Sequence, residues 1–213
     1  YYYKLIYLFT DGVVQDSVVS KNAGISLGAP KNNNDGFNVI PFSAGFTSLS
    51  PKIMPATPEN KQSAIEYIKT LRADGGTEAL PPLQFAMNMP SYDNKLKMII
   101  FITDGSLGHE QNVINLVKNN LGNSRLFSIG IGSAPNSYLL EKISREGRGT
   151  FTYISNKSQV FSKVEKLFKK IEMPVLSSID FKLNGKGELY PNPIPDLFLD
   201  EPLIVFGKVD SLT

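Results

Sequence analysis

The 213-residue chain contains no cysteine and no tryptophan, and His109 is its single histidine. Without cysteine the protein has no disulfide, no thiolate zinc site and no cysteine nucleophile. One histidine leaves little scope for a histidine-based catalytic triad or a multi-histidine metal site. These absences exclude several classes of enzyme and metalloprotein.

Long apolar runs and basic clusters are also missing. No apolar run approaches the roughly 20 residues that a membrane-spanning helix needs, so we expect no span in this segment. There are 22 Lys and Arg residues against 20 Asp and Glu residues. The densest basic run, at 163–170, shares a helix with an apolar face, so we expect no nucleic-acid partner. The chain begins with Tyr1 rather than Met, and we expect a processed protein or a fragment.

Strand-like and helix-like segments alternate along most of the chain. The strand-like runs are 4–10, 37–42, 97–103, 126–131 and 150–154. Such alternation implies crossover connections, and therefore an α/β fold with a doubly wound, mostly parallel sheet covered on both faces. The run 97–103 is the clearest central strand.

Local signals refine this pattern. Thr57 and Asn136 are expected to cap helices. Pro41 lacks an N–H group and places the strand 37–42 near a sheet edge, with 46–53 as a candidate antiparallel partner. The stretch 12–36 gives no firm assignment, because its glycines and asparagines oppose a long helix.

The pattern changes after Pro174. Residues 175–184 and 202–209 resemble strands joined by a proline-rich segment, and no helical pattern follows. We therefore expect a first domain at 1–173 and part of a β-rich module at 174–213.

Two acidic residues and one hydroxyl are candidates for a site. Asp11 and Asp104 each follow a predicted strand and precede glycine, and Thr77 lies in a loop after Gly75-Gly76. Ligands of open parallel sheets gather at the carboxyl ends of the strands. Carboxylate and hydroxyl oxygens suit Mg²⁺, Mn²⁺ or Ca²⁺, and an open coordination position could accept a carboxylate from a protein partner. Taken singly, each residue is better explained by an ordinary turn or helix cap.

Several motifs occur together in a fixed order. They are the run 99–105 ending in Thr103-Asp104-Gly105, the preceding Gly75-Gly76-Thr77-Glu78, the later Phe127-Ser128-Ile129-Gly130, the early Asp35-Gly36-Phe37-Asn38 and the tail 190–198. Over residues 35–213 the chain resembles a von Willebrand factor A domain. More narrowly, it resembles the inter-alpha-trypsin inhibitor heavy chain type and its bacterial surface relatives.

The resemblance implies a Rossmann-like sheet with a metal-ion-dependent adhesion site. Its ligands in the family are Asp-x-Ser-x-Ser after the first strand, a later Thr and an Asp after the central strand. Thr77 and Asp104 match the last two elements. Asp11-Gly12-Val13-Val14 retains the acid but neither serine, and a register anchored on Gln15-Asp16-Ser17 would leave no acid. We therefore expect weak binding of Mg²⁺, Mn²⁺ or Ca²⁺, or none.

The resemblance points to a non-enzymatic adhesion or protein-interaction module. The expected partners are a protein ligand, engaged through an acidic side chain, and other domains of the same chain, in an extracellular or cell-surface setting. The alternative is a structural scaffold with no metal, used in surface assembly or filament formation. An enzymatic function has little support, because the sequence shows no phosphate-binding Gly-Lys-Ser/Thr loop and no partner for His109.

Overall fold

The structure is a computed structural model that describes residues 3–10, 35–71, 76–90, 95–105, 107–133, 135–172, 174–176, 179–181, 186–192, 194–198 and 202–209. Its main sheet has six strands: β1 (Tyr3–Thr10), β2 (Gly36–Phe42), β3 (Met54–Pro55), β4 (Leu96–Thr103), β5 (Arg125–Ile131) and β6 (Arg148–Ile154). Their order is β3-β2-β1-β4-β5-β6. All neighbouring pairs are parallel except β2 with β3. The expected doubly wound α/β fold is confirmed.

Helices alternate with these strands, as the sequence predicts. They are α1 (Pro58–Thr70), α2 (Leu80–Asn88), α3 (Glu110–Asn120), α4 (Ser137–Glu146) and α5 (Val160–Glu172). Thr57 Oγ1 accepts from the Asn60 N–H at 3.3 Å, and Asn136 Oδ1 accepts from the Leu139 N–H at 3.1 Å. Both predicted caps are therefore confirmed. No helix in the described part of the chain has the length and apolar composition needed to cross a bilayer.

The sheet separates two apolar cores. On one face, Met98, Ile100 and Ile102 of β4 belong to a core with α1 and α5. On the other face, Ile99 and Phe101 of the same strand belong to a core with α2, α3 and α4. This alternation follows from the period of two in a strand, and it explains why β4 is apolar without interruption from Met98 to Ile102.

The structure refines the expectation for β2. This strand lies one position inside the edge, and the short β3 is its outer neighbour. Residues 46–53 pair with β2 only in part: Phe46 bridges Phe42, and the N–H groups of Thr47 and Leu49 donate to the Pro41 and Val39 carbonyls at 3.1 Å and 2.8 Å. The buried Asn38 accounts for the difference, because its Nδ2 donates to the Ser50 carbonyl at 2.7 Å and holds that segment as a loop.

The tail after α5 contains four short strands: β7 (Pro174–Leu176), β8 (Gly187–Tyr190), β9 (Leu197–Phe198) and β10 (Phe206–Val209). They form two antiparallel pairs, β7 with β9 and β8 with β10. The expected strand 175–184 is described only in part, and the proline-rich segment expected as a connection contains β8 and β9. The uncertain stretch 12–36 lies outside the described residues as far as position 34.

Strand β6 forms the other edge of the main sheet. Lys163 of α5 donates from Nζ to the Tyr153 carbonyl of β6 at 2.5 Å. The same ammonium lies 5.9 Å from the centre of the Tyr153 ring. A backbone acceptor on this edge strand is therefore occupied by a side chain of the neighbouring helix.

Candidate functional site at the carboxyl end of the sheet

Asp104 lies at the end of the central strand. Strand β4 is buried up to Thr103, whose Oγ1 accepts from the Gly105 N–H at 3.3 Å. This contact helps to turn the chain directly after the strand, and Asp104 is exposed there. The carboxylate of Asp104 is thus carried by a short turn on a rigid, buried strand.

Thr77 reaches the same turn from a different part of the chain. Its Oγ1 lies 3.4 Å from the position that a Cβ atom on Gly105 would occupy. The loop that carries it is anchored, because the next N–H, that of Glu78, donates to the Ser43 carbonyl at 2.7 Å. Ala79, which follows, is buried. The structure therefore brings the Thr77 hydroxyl beside the Asp104-Gly105 turn, although Thr77 and Asp104 are 27 positions apart in the sequence.

Asp11, the third predicted ligand, lies outside the described residues. The strand before it ends at Thr10, and β1 is the parallel neighbour of β4, with Phe9 opposite Ile102. The strand order changes direction between these two strands, which is where open α/β sheets bind ligands. The roles of Asp11, Thr77 and Asp104 as metal ligands stay predictions.

The donor chemistry at this edge fits a hard cation. Thr77 offers a hydroxyl oxygen and Asp104 a carboxylate, both of which suit Mg²⁺, Mn²⁺ or Ca²⁺. Within the described ranges, no three Asp, Glu, His or Cys side chains cluster in a way that could hold a metal. Thr77 and Asp104 by themselves would leave several coordination positions of such a cation open.

Polar side chains from the next two loops continue the same edge. His109 immediately precedes α3. Its backbone has a left-handed φ of 54°, and its side chain is exposed. Glu110 accepts from Asn136 Nδ2 at 2.6 Å, and this hydrogen bond ties the start of α3 to the start of α4. The starts of α3 and α4 therefore add polar side chains to this end of the sheet.

Comparison with known proteins identifies the family. A family profile for the von Willebrand factor type A domain matches residues 30–153, more than half of the chain. The chain belongs to the von Willebrand factor A family. Domains of this family generally mediate contacts between proteins and are typically not enzymes. The resemblance drawn from the sequence motifs is therefore confirmed.

Curated relatives are much longer than this chain. A von Willebrand factor A domain-containing protein of Dictyostelium discoideum is 29% identical over 183 residues, which cover 84% of this chain and 20% of the relative. The chain spans about a fifth of the length of the curated A-domain relatives that it matches.

Solved structures agree with the fold. The von Willebrand factor type A protein from Catenulispora acidiphila has a TM-score of 0.75 at 16% identity, over 96% of this chain and 53% of that one. Proximal thread matrix protein 1 of the mussel byssus, with a zinc-occupied metal-ion-dependent adhesion site, has a TM-score of 0.57 at 16% identity, over 76% of this chain and 45% of that one. At these identities the likeness shows the fold alone.

The opposite, amino end of the A-domain sheet holds charged residues that the sequence analysis missed. Arg125, the first residue of β5, is 2% exposed, and Asp196 of the tail is 5% exposed. Arg125 donates from Nε to Oδ2 of the Asp196 carboxylate. It also donates from Nη2 to Oδ1 of the same carboxylate, at 2.9 Å. Such a two-bond pair is geometrically specific, so it fixes the tail against the sheet.

Arg148 lies beside this pair. Its guanidinium donates to the Gly122 carbonyl and to the Ser124 carbonyl, the latter at 3.2 Å. Burial lowers the pKa of Arg148 most, and the positive charge of Arg125 lowers it further. The negative charge of Asp196 raises the same pKa in part.

Lys97 is a second buried cation at the amino end. Its Nζ donates to the backbone carbonyls at the end of α2, namely those of Met87, Met89 at 3.0 Å and Ala86 at 3.3 Å. Terminal helix carbonyls have no partner within the helix, so a cation placed there is favourable. The signal that could have found Lys97 and Arg125 is a basic residue at the start of an otherwise apolar strand.

Proposed function

We propose that this A domain is a non-enzymatic protein-interaction module whose ligand binds at the carboxyl end of the sheet, around Thr77 and Asp104. The observation that carries the proposal is the position of the Thr77 hydroxyl beside the Asp104-Gly105 turn. An exposed carboxylate and a hydroxyl on rigid supports offer a preformed polar contact site. The family's general role in contacts between proteins supports the same conclusion.

We further propose that Asp11, Thr77 and Asp104 hold a divalent cation weakly. A bound Mg²⁺, Mn²⁺ or Ca²⁺ would supply an open coordination position for an acidic side chain of the ligand. The zinc-occupied adhesion site of the mussel protein supports a metal at this place in the fold. Binding is expected to be weak because Val13 and Gln15 stand at the two positions where the family motif has serines, and neither side chain carries a hydroxyl.

Thermal unfolding in Mg²⁺, in Mn²⁺ and in chelator tests the metal. A cation that binds only the folded state raises the melting temperature by mass action, and at ten times its dissociation constant we expect a rise of about 3–5 °C. Asp104→Ala should abolish the rise. Glu66→Gln, which removes an exposed acid on α1 paired with Lys69, is the matched control and should keep it. A melting temperature indifferent to all three conditions contradicts the metal proposal.

A scaffold without metal is the second candidate. The loss of both serines from the first motif favours it. Under this alternative, the chain assembles or binds partners equally well in chelator and in Mg²⁺. Binding of wild type and of Asp104→Ala to a protein ligand, measured in Mg²⁺ and in chelator, distinguishes the two candidates. Loss of binding in chelator and in the variant supports the metal site, and equal binding throughout supports the scaffold.

We also propose that residues 1–173 form the A domain and that 174–213 begin a β-rich module that contacts other domains of the same chain. The short pairs β7–β9 and β8–β10 support this, because isolated two-stranded pairs are marginally stable and gain from further strands. An extracellular or cell-surface setting is part of the proposal, supported by the byssus protein among the neighbours. Labelling intact cells with a membrane-impermeant reagent tests the location, and a protein labelled only after lysis contradicts it.

A further inference from the structure

Exposed large apolar side chains are concentrated in two places within the described residues. Some lie in the tail after α5, and the others are Phe46, Tyr138, Tyr153 and Phe161. All four of these aromatic residues belong to the carboxyl end of the main sheet, because each lies at the end of a parallel strand or in the loop or first helical turn that follows one. Single exposed apolar residues are ordinary on a protein surface, but a set confined to one end of a domain indicates a contact surface.

Phe46 marks one flank of this end and is held in place. It pairs with the last residue of β2 in an antiparallel bridge, and its ring lies 5.2 Å from that of Phe85 on α2. Its side chain is 37% exposed. The carbonyl of Ser43, in the same loop, accepts the N–H of Glu78 at 2.7 Å. The loop of Phe46 is therefore attached to the loop that carries Thr77.

Tyr153 marks the opposite flank, near the end of β6. Its hydroxyl donates to the carbonyl of Gly132, just after β5, at 2.8 Å. The ammonium of Lys163 lies 5.9 Å from the centre of its ring. Tyr138, which is 68% exposed, begins the helix that packs on β5 and β6. Both flanks are thus preformed, which lowers the entropy lost when a ligand binds.

The strand order gives the distance of each flank from the candidate site. Phe46 pairs with the outer side of β2, which neighbours β1, and Tyr153 lies on β6, two strands from β4. Neighbouring strands are about 4.8 Å apart, so each flank lies about 12 Å from the point between β1 and β4. An extended chain advances about 3.3 Å per residue, so this distance corresponds to about three or four residues.

We propose that the protein ligand is an extended segment with a central acidic residue and an apolar residue about three or four positions away on each side. The central carboxylate binds at the site around Thr77 and Asp104, and the two apolar side chains contact Phe46 and Tyr153. This inference rests on the proposed function, which places an acidic side chain of the ligand between β1 and β4. Aromatic residues supply much of the energy of protein contacts, so the spacing selects among acidic segments.

Peptides of defined spacing test the proposal on the full 213-residue chain in Mg²⁺, with amide NMR spectra as the readout. The spaced peptide is acetyl-Phe-Ser-Ser-Asp-Ser-Ser-Phe-amide, and its match of equal composition is acetyl-Ser-Ser-Phe-Asp-Phe-Ser-Ser-amide. We expect the spaced peptide to bind about fivefold more tightly and to shift the amides of 44–47 and 153 together with those of 104–105. Equal affinities of the two peptides, or no binding at millimolar concentration, would overturn the proposal.

A third peptide separates this inference from the proposed function. It is the spaced peptide with asparagine in place of aspartate, and we expect it to bind more weakly. A preference for aspartate without a preference for the spaced peptide overturns this inference alone. A preference for the spaced peptide without one for aspartate, unchanged in Asp104→Ala, contradicts the proposed function and with it the central acid.

Variants identify the apolar contact. Phe46→Ala should weaken the spaced peptide by about fivefold and leave its match unchanged. Phe206→Ala removes an exposed aromatic side chain of the tail, so it is the matched control and should change neither affinity. The amide spectrum of each variant verifies its fold, and the peptide comparison on wild type stands without any variant. Equal losses in Phe46→Ala and Phe206→Ala would overturn the proposal, because the peptide would then bind exposed aromatic residues without regard to place.

Discussion

The two ends of the A-domain sheet use charged and polar residues in opposite ways. At the amino end, Arg125, Asp196 and Lys97 are buried and their hydrogen bonds run to other parts of the same chain. At the carboxyl end, Asp104 is exposed and Thr77 is half-buried beside it. The difference indicates that the charged residues of one end hold the tail against the sheet, while Asp104 at the other end is exposed, as the proposed ligand site requires.

The largest expected effect comes from breaking the buried pair. Asp196→Ala leaves the Arg125 guanidinium buried without its carboxylate and should lower the free energy of unfolding by about 3–5 kcal/mol. Urea unfolding of the full chain measures it. The exposed pair of Glu141 with Arg145 is the control, and Glu141→Gln should cost about 0.5 kcal/mol or less. A loss below about 1 kcal/mol for Asp196→Ala would contradict a stabilising role for the amino end.

A second variant at the same end should have a smaller effect. Lys97→Met removes the ammonium that donates to three carbonyls at the end of α2. Buried carbonyls that lose their donor cost about 1–3 kcal/mol. Lys118→Met, on the exposed surface of α3, is the control, and it should stay within about 0.5 kcal/mol of wild type. Urea unfolding again gives the difference, and equal stability of the two variants would exclude a capping role for Lys97.

The carboxyl end should tolerate substitution when metal is absent. Asp104→Ala, measured in chelator, should change the free energy of unfolding by about 0.5 kcal/mol or less, because the side chain is exposed. Any effect of this variant should then appear in ligand or cation binding. If Asp104→Ala in chelator is as damaging as Lys97→Met, Asp104 supports the fold and the contrast between the ends fails.

The smallest effect concerns pH at the tail. The Tyr190 hydroxyl donates to the Glu188 carboxylate, and this hydrogen bond, together with the negative charge of Glu188, raises the pKa of Tyr190 above its usual value. The hydrogen bond therefore contributes fully below the unfolded pKa of about 10 and is lost as pH rises through the folded pKa. Ultraviolet titration of the tyrosines should show one group titrating late. In Glu188→Gln that group should titrate earlier, and an unchanged curve would mean that Glu188 does not act on Tyr190.

Much of the fold could be predicted from local patterns. In α5 the apolar residues repeat with a helical period, and all of them are buried except Phe161, which is 55% exposed: Val160, Phe161, Val164, Leu167, Phe168 and Ile171. A period of this kind depends only on residues three or four apart. Asp104 follows a parallel strand and so belongs to the carboxyl edge of the sheet, and the loop of Thr77, between two helices, was assigned to the same edge from the alternation of the predicted helices and from the family motif.

The amino end could not be predicted in the same way. Arg125 and Asp196 are 71 positions apart, and no period or spacing links them. Their pairing depends on where the tail returns, which tertiary packing decides. The sequence does not predict strands β8 and β9 for a related reason. They are four and two residues long, and the prolines around them favour an irregular loop.

The lysine of α5 that contacts edge strand β6 affects how separate molecules meet. An open edge strand presents carbonyl and N–H groups that a strand from another copy can use, and a positive charge on that edge opposes such stacking. Lys163 already occupies the Tyr153 carbonyl, so an incoming strand would have to displace an ammonium group from both a carbonyl and an aromatic ring. We therefore expect this contact to disfavour the addition of a strand from another copy along this edge of the sheet.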